Sequence, residues 1–222
     1  MILTITIRIL LLIAFATSVS FAQVKTLTEA EYDVATNAAY HETAKKIHRS
    51  ISTHQSFEVG KIVRSSTVTE ENVPPYKSRL LIDRRGSESS RYEVITIGDD
   101  IYEKYNSAKW KKTRKGNAQT FTVAGNPMDI PTTVQYTVTD SRLNGVAVRV
   151  YSKHQDNLSS FENTLYKLNA GKELNVMWVS KNGLILKTEA TVIDRDTKIV
   201  VNKTVEIYDY KPKGIKIAAP IK

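Results

Sequence analysis

The sequence predicts a mainly β protein with one N-terminal helix ahead of a long antiparallel meander. Three observations predict it. From Phe57 onward, apolar residues recur at every second position, the period of a half-buried strand. Turn signals separate these stretches: DRRGSES, GDD, YNSAKW, SRLNG, SKNG and DRDTK. Ahead of them, one stretch spaces its apolar residues at the period of a helix. Short connections between consecutive strands imply antiparallel neighbours.

The chain opens with MILTITIRILLLIAFATSVSFAQ. One cation, Arg8, precedes the apolar run Ile9 to Ala16, and the small residues Ser20 and Ala22 are spaced like a signal-peptidase site before Gln23. This is the pattern of a secretory signal peptide over residues 1–22. The run is short for a membrane span of about 20 residues. Residues 23–222 are then expected to form a single domain, long enough to bury a core.

Thr28 is placed to cap a helix, and Glu29 and Glu31 suit its first turn. Ala30, Val34, Ala38, Ala44 and Ile47 set an alanine-rich stripe that would lie close against something flat. Lys45, Lys46, His48 and Arg49 favour a C-terminus close by, so the helix is expected over 28–52. Ten strands are expected after it, at 57–69, 77–84, 90–97, 100–106, 109–113, 132–140, 146–154, 173–180, 184–194 and 198–210, about the number at which a sheet curls or splits. Residues 115–133 and 155–173 break the rhythm, the second with a helical turn around Phe161 to Leu168. Both would cover one opening of the sheet.

Each strand offers one apolar side. Leu80 and Ile82 share a face, as do Val146, Val148 and Val150, and Leu174, Val176 and Trp178. In MWVSKNGLILKTEATVID, Leu184, Leu186, Thr188, Ala190 and Val192 fall on one side of the second strand. A curled sheet would leave one alanine-rich helix and two loops to fill its concave side, which leaves room for a cavity. A two-sheet sandwich would use the same residues.

The rest of the composition narrows the function. No cysteine occurs, which in an exported chain points to a bacterial periplasm. The net charge is +9, and Arg8 is the only charge in residues 1–22. Acids are interspersed among the cations, the pattern of a solvated surface, and no nucleic-acid partner is expected. The densest basic cluster, KWKKTRKG at 109–116, reads as an exposed loop. There is no G-x-S-x-G elbow, no phosphate loop, no dinucleotide fingerprint and no H-E-x-x-H among His41, His48, His54 and His154. Glu70-Glu71 and Asp99-Asp100 are adjacent, and neighbours on a strand point to opposite faces. The chain is expected to be neither an enzyme nor a holder of a metal or cofactor.

The order of features resembles a known family. EVITIGDDIYEKYNSAKWKK (93–112) resembles the hairpin with a glycine-plus-tryptophan ending in LolA/LolB-like proteins. MWVSKNGLILKTEATV resembles their later hairpin, and YDYKPKGIKIAAPIK resembles the ending of LppX-type lipid carriers and outer-membrane lipoprotein-sorting proteins. The resemblance implies a strongly curved half-barrel whose concave face, covered by helices or loops, receives acyl chains. It implies a periplasmic carrier of a lipid or lipoprotein acyl chain, working as a monomer between membrane-associated donor and acceptor proteins. A sensor or protein-interaction module on the same fold is the alternative. The helical lid inserts of that family are replaced here by the loop-like GNAQTFTVAGNPMDIPTT, and no lid arginine is matched. The residues expected to line the cavity are Leu80, Ile82, Val94, Val146, Val148, Val150, Trp178, Leu184 and Leu186.

Overall fold

The computed structural model describes residues 23–85, 89–114, 133–156 and 170–221. The expected signal peptide, most of both irregular stretches and the last two residues of KWKKTRKG lie outside them. Strand β1 (Lys25–Leu27) leads into helix α1 (Glu29–Ala44). Six strands follow: β2 (His48–Glu58), β3 (Lys61–Val73), β4 (Lys77–Arg85), β5 (Ser90–Ile97), β6 (Asp100–Tyr105) and β7 (Lys111–Arg114). Five more complete the fold: β8 (Thr133–Leu143), β9 (Val146–Asp156), β10 (Ala170–Ser180), β11 (Ile185–Asp194) and β12 (Val200–Asp209).

The twelve strands form one antiparallel sheet in the order β1-β8-β9-β10-β11-β12-β2-β3-β4-β5-β6-β7. It is two meanders, β2–β7 and β8–β12, joined where β12 pairs with β2. The sheet does not close, since β1 and β7 are its two edges. Among the described residues the fold is mainly β, one antiparallel sheet with one helix, as the sequence predicts, curled rather than split into a sandwich.

Helix α1 starts as expected. Thr28 and Glu31 form a capping box: the Glu31 N–H donates to Thr28 Oγ1 at 3.2 Å, and the Thr28 N–H donates to Glu31 Oε2 at 2.8 Å. It ends eight residues early, at Ala44. From His48 the chain is strand, because His48, Ser50 and Ser52 alternate with Arg49 and Ile51. Serines at the buried positions hide that alternation from any reading of hydrophobicity. The packed face also differs. Tyr32, Ala35, Thr36, Ala39 and Thr43 meet the sheet, while Val34 is 72% exposed and Ala30 and Ala38 face solvent. Small residues let the helix approach closely, and in so weakly amphipathic a helix closeness of fit chooses the face.

The long strand expected at 57–69 is two strands, β2 and β3, joined by a tight turn at Val59-Gly60 with φ values of 48° and 75°. Asn144-Gly145 turns β8 into β9 the same way, at 50° and 82°, as an Asn-Gly signal requires. Val59 is a poor residue for that geometry, because a β-branched side chain crowds the carbonyl in the left-handed region.

Burial differs sharply between the two sides of the sheet at its middle. On the helix face, His48, Ser50 and Ser52 are buried; on the outer face beside them, Ile51 and Ile207 are 46% and 59% exposed. Crowding on the inside of a curve hides even a serine, and splaying on the outside exposes an isoleucine.

Replacing Val59 with Asn relieves the left-handed strain at a side chain that touches little. Urea denaturation should show V59N more stable by about 1 kcal/mol. A loss of stability would mean that Val59 is held by packing.

Candidate functional site

The site is built on the helix face. The register pairs Tyr136, Tyr151 and Met177 with neighbours on that side, and α1 packs there against β8 and β11. Ala39, Tyr151, Met177, Val179 and Ile185 form the core under the helix, with Leu27, Tyr32, Ala35, Val138 and Tyr208 packed around it. Tyr32 and Tyr136 meet with ring centroids 4.9 Å apart. Burial pushes the Tyr32 phenol up to about 12. It also drives the Tyr208 phenol well above its ordinary range, helped by the Glu206 carboxylate that accepts its hydroxyl at 2.9 Å.

A closed ring of hydrogen bonds holds the end of the helix. The Ile185 N–H donates to Thr43 Oγ1 at 3.0 Å, and the Tyr210 hydroxyl donates to the Ile185 carbonyl. The single Tyr210 proton is thereby used, so the Thr43 hydroxyl donates to Tyr210 Oη, 3.1 Å away. Ile185 is fully buried, with no exposed surface, and the ring satisfies both of its backbone groups. Asn72 adds a bond from Nδ2 to the Ala44 carbonyl at 3.0 Å, tying the helix end to β3.

Next to the helix lies a polar seam. His54 lies between two hydroxyls, Nδ1 at 2.9 Å from Thr204 Oγ1 and Nε2 at 3.2 Å from Ser52 Oγ. Past the seam is an apolar bay. Ser52 pairs with Val68, Val68 with Ile82, Leu80 with Val94, and Thr96 with Ile101. Val68, Leu80, Ile82, Val94 and Ile101 therefore sit together on the helix face of β3–β6, all half-buried. Glu70 and Glu103 flank the bay. Burial, with Glu103 next to it, holds the Tyr92 phenol above its usual range.

The nine residues named from the sequence do not share one wall. Leu80, Ile82 and Val94 come together in the bay. Val146, Val148, Val150 and Trp178 lie on the outer face. Val148 and Val150 are buried there, Val146 is 50% exposed, and Lys187 stands 4.5 Å over the Trp178 ring. Leu184 is in the turn after β10, its N–H donating to Ser180 Oγ at 3.2 Å. Leu186 is the extra residue of a bulge: Trp178 pairs with Lys187 and Val179 with Ile185, leaving Leu186 between. The bulge breaks the alternation expected from Leu184 to Val192 and brings Ile185 onto the helix face with Thr188. Val68, Ile101, Thr43 and Tyr210 were not singled out in the sequence. Only the cross-strand register brings the first two to the bay.

The outer face carries charge across four strands. Arg49 donates from Nε and Nη2 to Glu71 Oε1 at 3.0 and 2.6 Å, and Arg79 donates from Nε to Glu93 Oε1 at 2.7 Å. Arg49, Thr69, Glu71, Arg79 and Leu81 line a pocket of about 290 Å³ there. Among the described residues, no His, Asp and Glu cluster could hold a metal ion.

No family model and no curated protein matches the chain. Solved structures do. The Mycobacterium tuberculosis lipoprotein LppX is 9% identical over 86% of this chain and 100% of its own, with a TM-score of 0.45. LprF from Mycobacterium bovis is 10% identical over 87% and 99%, at 0.40. A LolA superfamily protein from Nitrosomonas europaea is 11% identical over 78% and 91%, at 0.29. The chain is similar to LolA-like proteins. Those kinds of protein are the ones the sequence resemblance names.

Thr43→Val keeps the shape and opens the ring, leaving the buried Ile185 N–H without an acceptor. It should cost about 1–3 kcal/mol in urea denaturation. Tyr210→Phe removes the same ring, so the double variant should lose clearly less than the two singles summed. Full additivity would show that the bonds act independently.

Proposed function

We propose that the protein is an exported binding protein that carries the acyl chain of a lipid or lipoprotein on the helix face of its sheet. The observation that supports this is the apolar bay. Val68, Leu80, Ile82, Val94 and Ile101 adjoin one another on the face that bears the helix, yet α1 packs on β8 and β11, in the other half of the sheet. Apolar side chains gathered on the inside of a curve suit a flexible hydrocarbon.

The energetics fit such a ligand. Each buried methylene contributes about 0.8 kcal/mol, roughly a fourfold gain in affinity. A long chain therefore binds through width and apolarity, with few polar contacts. The secretory pattern around Arg8 and Ile9 to Ala16 supports export, and the lack of cysteine supports a bacterial periplasm. There a carrier would take its cargo from one membrane-associated protein and yield it to another.

The test is to purify the mature chain from a bacterial periplasm, extract it with organic solvent and identify bound material by mass spectrometry. A stoichiometric acyl lipid, absent from a control protein, is expected. Leu80→Glu with Val94→Glu should abolish uptake of a fluorescent fatty acid while the circular dichroism spectrum holds. Ile207→Glu, on the outer face, should leave uptake unchanged. A clean extract with no fatty-acid uptake would sink the proposal and turn the search to a protein partner.

A further inference from the structure

The register carries the helix face one row beyond the apolar bay. In that row His54 pairs with Ser66, Ser66 with Arg84, and Arg84 with Ser90. It adjoins the row in which Ser52 pairs with Val68, Val68 with Ile82, and Ile82 with Tyr92. Residues two apart on a strand share a face, so Ser66, Arg84 and Ser90 stand on the same side as the bay. Arg64 precedes Ser66 by two on β3, opposite Ser56. One step along β4 thus turns the face from an isoleucine into an arginine.

Both arginines are exposed, and neither has a carboxylate or any other side-chain partner among the described residues. The outer face of the same strands differs. There Arg49, Arg79 and Arg85 each have a carboxylate within 4.0 Å. Arg84 sits opposite Ser66, so Arg64 is its diagonal neighbour, about 7–8 Å away across the ladder. Like charges so placed repel. No acid on their own face is set to relieve them. Asp83 and Glu93 belong to the outer face. Glu58 faces Lys61 across the β2–β3 turn. Glu70 and Glu103 lie in the row of Leu80 and Val94, four residues from Arg84 along β4, or about 13 Å.

The bay therefore has two unlike ends. A head group beside Leu80 would meet Glu70 and Glu103, which repel an anion. A head group beyond Ile82 would meet Arg64 and Arg84, open to solvent, with Ser66 next to both. A guanidinium presents parallel N–H groups at the spacing of two oxygens on one carbon or one phosphorus. We propose that the ligand of the bay is an anionic amphiphile, its carboxylate or phosphate head group held by Arg64 and Arg84 and its chain running from Ile82 toward Ile101. This rests on the acyl-chain reading and adds to it the charge of the head group and the direction of the chain. Because the arginines are exposed, their contribution is salt-sensitive and smaller than that of the chain.

Titration calorimetry on the full mature chain, at low salt, compares decanoate, decyl phosphate, decanol and inorganic phosphate. The alcohol reports the bay alone, and the two anionic amphiphiles report the bay with its head-group end. At least one of them should bind about fivefold to tenfold more tightly than decanol, and high salt should shrink that advantage. Which one gains tells carboxylate from phosphate. Arg64→Gln with Arg84→Gln should erase the advantage and leave decanol binding unchanged. Arg85→Gln removes the same charge one residue away on the outer face and should keep the advantage. Decanol bound as tightly as both anionic amphiphiles overturns the head-group site and leaves the acyl-chain reading standing. So does an advantage that survives the double variant, or one that Arg85→Gln also erases. Inorganic phosphate bound as tightly as decyl phosphate overturns it in favour of a free anion. If none of the four binds, the acyl-chain reading fails and this proposal fails with it.

Discussion

Thr43, Ile185 and Tyr210 close a ring of three hydrogen bonds, and the helix sits where that ring holds it. Ile185 begins β11 at a bulge, where the regular ladder leaves backbone groups to be satisfied some other way. A threonine from the helix and a tyrosine just past β12 supply the partners. Leucine or valine at position 43 would fill similar space and leave a buried N–H unpaired. The contact between one helix and a large sheet is therefore specified by polar groups at one end and by small residues along the rest.

That placement divides the helix face in two. Over β8–β11 the helix and the aromatic residues Tyr32, Tyr136, Tyr151 and Tyr208 make a filled core. Over β3–β6 the face holds apolar side chains away from α1, which packs on β8 and β11. Between the two runs the polar seam, where His54 lies between the hydroxyls of Ser52 and Thr204 and Ser50 is buried beside them. On the outer face the ordering force is charge: Glu71 is buried because Arg49 and Arg79 flank it from adjacent strands. A buried carboxylate needs such partners, and these two link Glu71 to the strands on either side.

Much of this was legible in the sequence because turns and alternation are local. Asn144-Gly145 and the run from Val146 announce a hairpin, and Thr28 with Glu31 announces a helix start. Strand β2 was not legible. Its inward residues are His48, Ser50, Ser52, His54 and Ser56, and the curvature that buries them exists only once the whole sheet is assembled. The buried face of α1 was hidden for a related reason, since Ala39 and Thr43 are chosen by closeness of approach. The bulge at Leu186 shifts the alternation within β11, which no count of every second residue detects. In the bay, Leu80 and Ile82 were legible as sharing a face. Which other strands bring residues to that face depends on register across the sheet, so Val146, Val148 and Val150 read as equivalent to them and are not.

The account's central claim is that an acyl chain lies on the helix face over β3–β6. The most direct measurement is a methyl NMR titration of the mature protein with a fatty acid bearing a spin label on its chain. The methyl signals of Leu80, Ile82, Val68 and Val94 should broaden together and saturate, while those of Val148 and Val150 on the outer face stay sharp. Broadening centred on Val148 and Val150, or none that saturates, would contradict it.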